Sequence, residues 1–254
     1  MNQNNYFTNK IVWITGASSG IGYALTKELY QRGATLVISG RNETALQKLA
    51  NEMTSDRVFI QTLDVTDLEA NKQVVDNILK KFHKLDIVIL NAGISQHAKL
   101  ANFTQGFAET INVNVLGVVN GIGPVLNYFL AQKQGHLAVV CSLSGFGGLP
   151  GAEAYSSSKA AVRSMLQGLT AVLIKTKITV STICPGFIKT PLTDKNQFYM
   201  PFLMTADKAA KIIADGLAKR KILICFPWLF SWLVRFLNIL PNSLYVRLIG
   251  LYKR

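Results

Sequence analysis

The sequence predicts an α/β protein with a doubly wound parallel sheet of about seven strands, helices on both faces and a C-terminal helical extension. Short apolar runs alternate with longer segments of helical periodicity, as in successive βαβ units. A glycine-rich turn directly follows the first apolar run. The 254 residues are 49% hydrophobic and can bury one large core. We expect a single domain over residues 1–226, extended by residues 227–254.

The first predicted strand, residues 11–15, leads directly into the turn GASSGIG and a helix over residues 21–32. Backbone N–H groups at a helix start attract anions, and glycines let a pyrophosphate approach closely. The alternative is a plain turn with glycine at its bends, but the flanking strand and helix favour dinucleotide binding. The residues predicted to contact the cofactor here are Gly16, Ser18, Ser19, Gly20, Ile21 and Gly22.

The second predicted strand, residues 35–39, ends at the position that selects the cofactor. An acidic residue here would bind the adenosine ribose and repel a 2′-phosphate. The sequence instead has Arg41, whose guanidinium can pair with a phosphate. NADP(H) is therefore predicted over NAD(H), unless Arg41 is simply a solvated residue near a helix start.

The next strands are predicted at residues 57–63 and 86–90, with helices at 43–53 and 68–82. Asp64 and Val65 follow the first of these strands. Asp64 is predicted either to receive an adenine amino group or to cap the next helix, a role for which Asp67 competes. The second strand ends in a small-residue turn on the cofactor side, comprising Asn91, Ala92 and Gly93.

A long helix is predicted over residues 107–132, and it carries Asn112 and Asn114 among apolar residues. A buried amide needs hydrogen-bond partners, so at least one of the two is expected to have a specific task. The alternative is support of a helix kink.

Ser142 ends the fifth predicted strand, residues 135–142, and Tyr155 and Lys159 share one face of the helix predicted at 152–174. A cation beside a tyrosine stabilises the phenolate and lowers the tyrosine pKa. Ser142 can hold a carbonyl oxygen while Tyr155 exchanges a proton with it. Taken alone, a Tyr and a Lys four residues apart also occur as an ordinary solvated pair.

The sixth predicted strand, residues 177–184, runs into a Pro-Gly turn that we expect beside the nicotinamide. Residues 190–204 lack periodicity and are predicted to form a mobile lid. A helix at 206–218 and a last strand at 222–226 complete the sheet. The cofactor contacts expected after the sixth strand are Pro185, Gly186, Ile188 and Thr190.

Residues 8–226 resemble the short-chain dehydrogenase/reductase family. The resemblance is carried, in family order and spacing, by TGASSGIG at 15–22, Asp64, NAG at 91–93, Asn114, Ser142, YSSSK at 155–159, PG at 185–186 and Thr190. It implies a Rossmann-type fold, Tyr155 as general acid/base and Ser142 as the group that orients the carbonyl. It also implies that Lys159 lowers the tyrosine pKa and binds the nicotinamide ribose, and that Asn114 supports a water-linked proton relay.

Two departures from the family pattern are small. Leu90 stands where a second Asn is frequent, and Leu143 follows Ser142 where another Ser is common. Neither removes a catalytic group. Family members often pair through the helices predicted at 107–132 and 152–174, so the resemblance implies a homodimer or homotetramer.

The chain has a net charge of +13, which suits an anionic cofactor, an acidic protein partner or an anionic membrane. No nucleic-acid recognition motif accompanies the charge. Cys141, Cys184 and Cys225 are far apart and are predicted to be buried thiols, with no metal site. Because the N-terminus lacks an apolar segment, a cytoplasmic location is expected, with peripheral attachment to the cytosolic face of a membrane.

The extension is the larger departure. It is apolar, rich in Trp and free of acidic residues, because the last one is Asp215. A helix over 228–240 would carry Ser231, Arg235 and Asn238 as a polar stripe, and a second helix from Asn242 would be similar. Such helices suit an anionic membrane interface. The alternatives are packing on the core, covering the substrate cleft or a subunit contact; a membrane span is disfavoured by Pro227 and Arg235.

Three functions follow. The first is NADPH-dependent reduction of a hydrophobic, lipid-like carbonyl, or oxidation of the corresponding alcohol. The second is reduction of 3-oxoacyl groups carried by acidic acyl carrier protein. The third is a catalytically silent scaffold that binds the cofactor, which the filled catalytic positions disfavour.

Overall fold

The computed structural model describes residues 6–53, 56–95, 103–196 and 198–251. Within these ranges the strands are β1 (Ile11–Thr15), β2 (Thr35–Gly40), β3 (Val58–Thr62), β4 (Ile87–Leu90), β5 (Gln134–Val140), β6 (Lys177–Pro185), β7 (Ile188–Lys189), β8 (Met204–Thr205) and β9 (Leu223–Phe226). The helices are α1 (Gly20–Gln31), α2 (Glu43–Asn51), α3 (Leu68–Phe82), α4 (Phe103–Ile111), α5 (Gly117–Gln132), α6 (Glu153–Leu173), α7 (Ala206–Ala218), α8 (Trp228–Leu237) and α9 (Asn242–Gly250).

Seven strands form one parallel sheet in the order β3-β2-β1-β4-β5-β6-β9, as predicted. The chain winds outward from β1 to β3 and then crosses to β4 on the other side of β1. In such a sheet the strand order reverses between β1 and β4, and the carboxyl ends of the strands open a crevice there. β7 and β8 make a separate two-stranded ribbon.

Helices cover both faces of the sheet because its central strands are buried on both sides. On one face, α1, α2 and α7 pack on residues such as Val12, Ile14 and Ile38. On the other face, α3, α5 and α6 cover Trp13, Val88 and Val139. Alternate residues of each strand thus serve opposite cores, which explains the continuous apolar runs in the sequence.

The long helix differs from its prediction. It begins at Phe103 rather than 107, and a π-helical segment at Asn112–Leu116 divides it into α4 and α5. A helix period of 3.6 does not reveal one inserted residue, so the sequence pattern missed the bulge. By length and composition alone, residues 103–132 are the one stretch of the described chain that could cross a membrane. Val125 and Phe129 of this helix are fully buried on the sheet, as in a core helix.

The extension forms two helices after β9. The first, α8, ends at Leu237 rather than 240, and α9 begins at Asn242 as predicted. Since β9 runs parallel to β6, α8 starts at the carboxyl edge of the sheet, the edge at which Ser142 follows β5. The fold therefore brings the extension to the same edge as the predicted catalytic residues.

Candidate active site

A cavity of about 310 Å³ opens at the carboxyl ends of the central strands, where the strand order reverses. The polar backbone of the glycine turn lines one side and the Pro-Gly turn after β6 lines another. The predicted cofactor residues in its wall are Gly16, Ser18, Ser19, Gly20, Ile21, Arg41, Asp64, Val65, Asn91, Ala92, Gly93, Tyr155, Lys159, Pro185, Gly186, Ile188 and Thr190. The residues predicted from sequence spacing therefore line one cavity in the folded chain.

The glycine turn is held against the end of β4. The Asn91 amide donates hydrogen bonds to the carbonyls of Thr15 and Gly16, at 3.1 and 3.0 Å. Gly16 has a φ of +66°, and a Cβ there would lie 2.7 Å from the Ala92 Cα. Only glycine satisfies both constraints. Gly22 lies outside the cavity wall, where its missing side chain lets α1 approach the Gly16 carbonyl.

Arg41 and Asp64 occupy the end of the cavity next to β2 and β3. The Asp64 carboxylate accepts hydrogen bonds from the Thr66 N–H and hydroxyl, at 3.0 and 2.8 Å. These bonds, and more weakly the charge of Arg41, lower the Asp64 pKa. The helix-capping role predicted as an alternative belongs to Asp67, which accepts from the Ala70 N–H. Asp64 is thus an ionised acceptor in the cavity wall, beside a cation.

The three predicted catalytic side chains converge at the other end of the cavity. Tyr155 and Lys159 stand on the first two turns of α6, and Ser142 lies two residues after the end of β5. Lys159 is buried, and its ammonium donates a 3.0 Å hydrogen bond to the Val140 carbonyl. The Ser144 hydroxyl and N–H both donate to the Ser142 oxygen, at 2.9 and 3.1 Å. These bonds fix Lys159 and Ser142 beside Tyr155.

The electrostatics of Tyr155 differ from the prediction. Burial raises the pKa of Tyr155 to about 12, and a hydrogen bond from Ser142 offsets this rise only in part. Burial also lowers the pKa of Lys159. The expected lowering of the tyrosine pKa by Lys159 is therefore wrong for the chain without a bound nucleotide. The reason is that desolvation opposes both charged forms here.

Asn114 is buried in the π-helical segment and not in the cavity wall. Its amide oxygen accepts from the Ile94 N–H at 2.8 Å, and its nitrogen donates to the Ile94 carbonyl and the Ser158 hydroxyl, at 2.9 and 3.0 Å. Ser158 in turn donates to the Tyr155 carbonyl at 2.7 Å. Asn114 therefore has a specific task, as expected of a buried amide. Its side chain joins the segment after β4 to α6. Asn112 is exposed.

A second cavity, of about 370 Å³, meets the first at Ser142 and Tyr155. Its wall is mostly apolar, and no Lys, Arg, Asp or Glu belongs to the part of it that the structure describes. The extension supplies much of this wall through Phe230, Leu233, Val234, Leu237, Tyr245, Leu248 and Ile249. The inner side of the extension therefore covers the cleft, which was one of the alternatives stated for it.

Two contacts attach the extension to the rest of the cavity wall. The Tyr245 hydroxyl donates a 2.8 Å hydrogen bond to the Gly148 carbonyl, and its ring occupies the space that a side chain at Gly147 would fill. The Phe230 ring lies 5.8 Å from the rings of both Phe187 and Phe202. Residues 190–204, the predicted lid, thus meet α8 through the contact between Phe202 and Phe230. The mobility of this segment stays a prediction.

The polar stripe predicted on α8 does not point uniformly to solvent. Ser231 is buried and approaches the Cys225 thiol, while the Arg235 guanidinium lies 5.4 Å from the centre of the Trp232 ring. The outward surface of α8 is instead apolar, with Trp228 and Trp232 exposed by 67% and 64%. The spacing of polar residues predicted the helix, but it did not predict which side of α8 would face the protein.

The three cysteines lie in one row across neighbouring strand ends. Cys184 is paired in register with Cys225, and the Cys141 N–H bonds to the carbonyl of Ile183. Cys141 and Cys184 are buried as predicted, whereas Cys225 is half-buried because β9 is the edge strand. Contact with Cys184 lowers the pKa of the Cys225 thiol to about 7.

Sequence reasoning missed several residues that shape the site. Ser144 donates to the Ser142 side chain, Ser158 bonds the Tyr155 carbonyl and the Asn114 amide, and Ile94 provides the backbone groups that Asn114 binds. None of these has a recognisable spacing signal. Tyr245 was missed because its contact with Gly148 spans 97 positions of the chain.

Comparisons with known proteins agree with this architecture. Residues 10–198 match the model of the family described as short chain dehydrogenase. An uncharacterized oxidoreductase from Myxococcus xanthus is 35% identical over 236 residues, which cover 91% of this chain and 93% of that protein.

Two solved structures are similar in fold and also in sequence. The alcohol dehydrogenase of Thermococcus sibiricus, complexed with 5-hydroxy-NADP, has a TM-score of 0.76 and 25% identity, over 85% of this chain and 95% of that one. The 3-ketoacyl-(acyl-carrier-protein) reductase of Brucella melitensis, complexed with NADH, has a TM-score of 0.77 and 26% identity, over 87% and 97%. Structural relatives of this chain thus bind either nicotinamide dinucleotide.

Proposed function

The chain belongs to the short-chain dehydrogenase family of oxidoreductases, and on that premise we propose that it reduces a hydrophobic, lipid-like carbonyl with NADPH, or oxidises the corresponding alcohol. One observation carries the proposal: a glycine-lined cavity with a mixed polar and apolar wall meets a mostly apolar cavity at Ser142 and Tyr155. A cofactor in the first and a substrate in the second would place their reacting groups at these two side chains.

The first cavity fits a dinucleotide. A Cβ at Gly93 would lie 3.4 Å from the Lys159 ammonium, so the missing side chain leaves that cation open to the cavity. The turn at the start of α1 offers backbone N–H groups to a pyrophosphate. Asp64 offers an acceptor for the adenine amino group, and Lys159 a donor for the nicotinamide ribose. The bound cofactor supplies the hydride.

The proposed role of Tyr155 is proton transfer. With a pKa near 12 in the free chain, its hydroxyl is protonated at neutral pH and ready to donate to the carbonyl oxygen during reduction. Ser142, held by two bonds from Ser144, is proposed to orient the same oxygen. Asn114 is proposed as a positioning residue for the water-linked relay of the family, because its side chain ties Ile94 to α6.

The preference for NADP(H) rests on Arg41. It lies in the cavity wall at the end of β2, and neither Ser39 nor Gly40 provides the carboxylate that would select NAD(H). The likeness to the Thermococcus sibiricus dehydrogenase, complexed with 5-hydroxy-NADP, supports this choice, whereas the Brucella melitensis reductase was complexed with NADH.

The hydrophobic substrate class rests on the second cavity. Its described wall has no ionic side chain, so a charged group placed there would lose its hydration without gaining a partner. The exposed apolar surface of residues 227–251 further supports peripheral attachment to a membrane in which such substrates dissolve. A homodimer or homotetramer in the cytoplasm is part of the same proposal.

A second candidate, reduction of 3-oxoacyl groups on acyl carrier protein, is supported by the net charge of +13 and by the likeness to the Brucella melitensis reductase. An acidic carrier would bind electrostatically. Activity on carrier-bound substrate would then fall with salt much more steeply than activity on a short free analogue.

The proposal is tested by following NADPH absorbance with 2-ketones and aldehydes of increasing chain length. Catalytic efficiency is expected to rise with chain length, since each added methylene is buried in the apolar cavity. Equal efficiency for short and long chains would contradict the hydrophobic substrate class. No turnover of any carbonyl would favour the silent scaffold.

A further inference from the structure

We propose that α8 and α9 dock on an anionic lipid bilayer through their outward surface, and that the apolar cavity behind them takes its substrate directly from the bilayer. The second half of this inference rests on the proposed function, whereas the first half does not. The two helices form a wall with two sides, one facing the cavity and the other facing solvent.

The outward side of α8 is unusual for a solvent-exposed helix. Trp228 and Trp232 are joined there by Phe236 and Ile239, exposed by 61% and 82%. Arg235 is the one charged residue of α8. Leu229 and Leu233 are further exposed apolar residues of α8, and residues 242–251 expose Leu244, Val246, Leu248 and Leu251. Trp228, Trp232 and Phe236 follow one another at four-residue spacing and therefore form an apolar stripe on α8. An exposed apolar stripe of this kind marks an interaction site, and tryptophans favour the interface between lipid and water.

A neighbouring segment also exposes apolar side chains, those of Tyr199, Phe202 and Leu203. Its Pro201 lines the cavity, and its Phe202 ring contacts Phe230, which lines the cavity from α8. The exposed side chains of this segment therefore lie beside the cavity that α8 and α9 cover. We call the exposed residues of 199–203 and 228–251 the docking surface.

The charge distribution favours an anionic bilayer over a protein partner. No Asp or Glu occurs after Asp215, so residues 216–254 carry only basic charges. Lys219, Arg220 and Lys221 lie at the opposite edge of the sheet, where Arg220 bonds the Lys177 carbonyl, but Arg235 and Arg247 are exposed on α8 and α9. Basic side chains next to exposed tryptophans add electrostatic attraction to anionic headgroups. Neither helix is long enough to span the hydrocarbon core, so the helices would lie in the interface.

A route from the bilayer to the cavity is indicated by residues of α8 and α9 that both line the cavity and are exposed to solvent. Leu233 and Leu248 line the cavity and are exposed by 50% and 40%. On the inner side, α9 contacts the segment after Ser142 through the hydrogen bond from Tyr245 to Gly148. An apolar chain leaving the bilayer would pass these leucines and reach Tyr155 without crossing water.

Docking is tested by flotation with vesicles of phosphatidylcholine containing about 30% phosphatidylglycerol, beside vesicles of phosphatidylcholine alone. The protein is expected to float with the anionic vesicles, and the double variant Trp228→Glu/Trp232→Glu is expected to bind at least about tenfold more weakly. The matched control is Leu68→Glu, which changes a residue exposed by 53% at the start of α3, away from the docking surface, and should float like the parent. Failure of the parent to float, or equal flotation of the double variant, would overturn docking.

Delivery is tested with a long-chain ketone dissolved in the same vesicles and a short ketone dissolved in water. The double variant should lose about tenfold in kcat/KM for the vesicle-bound ketone and stay within about twofold of the parent for the soluble one. Equal loss on both ketones, or on neither, would overturn delivery. If no ketone is reduced by the parent, the proposed function fails, and flotation still decides docking.

Analytical sedimentation tests whether the docking surface binds a second copy of the chain instead of a bilayer. The double variant is expected to keep the oligomeric state of the parent. A dissociated variant would show that the docking surface is a subunit interface, and this result would overturn the proposal.

Discussion

The Lys159 ammonium lies 5.7 Å from the centre of the Tyr155 ring and donates its hydrogen bond to the Val140 carbonyl. Two side chains four residues apart on α6 are thus oriented by different partners, the lysine by a strand carbonyl and the tyrosine by Ser142. Burial of the tyrosine outweighs its hydrogen bond from Ser142 and raises its pKa to about 12, so the hydroxyl is protonated at neutral pH. This protonation state favours donation of a proton to a carbonyl over removal of a proton from an alcohol.

The pH dependence of the two directions should therefore differ. Reduction needs the protonated hydroxyl, and because the Tyr155 pKa is raised to about 12, its rate should be flat from about pH 6 to pH 9. Alcohol oxidation needs the phenolate, so its rate should rise with pH over the same range. Initial rates with saturating nucleotide measure both profiles. A reduction rate that falls with a midpoint below about pH 8 would show that the tyrosine pKa is lowered in the complex.

Replacing Arg41 by Ala should weaken NADPH binding by about tenfold and leave NADH binding nearly unchanged, because only NADPH carries the phosphate that the guanidinium can pair with. Fluorescence titration of each nucleotide measures the two dissociation constants. The control is Lys72→Ala, which removes an exposed cation of α3 outside the cavity wall. Equal affinity of the parent for both nucleotides would remove the phosphate-binding role from Arg41.

Replacing Asn114 by Ala should lower the free energy of unfolding by about 2 kcal/mol, because it leaves buried partners at Ile94 and Ser158 without their hydrogen bonds. Turnover should also fall, since the same bonds position α6. Urea unfolding and kcat measure the two effects. Asn112→Ala, at an exposed position two residues away, should stay within about 0.5 kcal/mol of the parent. Similar behaviour of the two variants would contradict the positioning role.

His136 should make the fold sensitive to acid. It is buried between the Tyr6 hydroxyl, at 2.9 Å, and the Ser181 hydroxyl, at 2.8 Å, and burial lowers its pKa from 6.5 to about 3. Below pH 6.5 the unfolded chain therefore binds a proton that the folded chain does not. Stability from this group is present above pH 6.5 and is lost at up to about 1.4 kcal/mol per pH unit as the pH falls towards 3.

Urea unfolding of the parent and of His136→Gln between pH 7 and pH 4 isolates this contribution. The parent should lose stability more steeply than the variant as the pH falls. Parallel losses in the two proteins would show that His136 does not titrate between the folded and unfolded states in this range.

The sequence was sufficient for the sheet and for the first cavity because both depend on local patterns. Apolar runs mark strands buried on both faces, and a turn such as that at Gly16 carries its backbone requirement in the residue type. Likewise, Tyr155 and Lys159 are set by helix spacing. These signals need no knowledge of distant contacts, which is why the parallel sheet and most residues of the first cavity wall could be predicted.

The rest depends on contacts between distant parts of the chain. The orientation of α8 follows from burial of Ser231 beside Cys225, and the closure of the second cavity depends on Tyr245 reaching Gly148. The tyrosine pKa likewise depends on how much water the folded site excludes. Helix spacing placed Lys159 one turn from Tyr155, but it did not reveal that desolvation decides the direction of the tyrosine pKa shift.

The most direct test of the central claim is single-turnover oxidation of bound NADPH by a long-chain ketone, in the parent and in Tyr155→Phe. The variant keeps the ring and loses the hydroxyl, so NADPH affinity should stay within about threefold while the rate of the chemical step falls by about 10²–10⁴. A variant that oxidises NADPH as fast as the parent would contradict the assignment of Tyr155 as the proton donor.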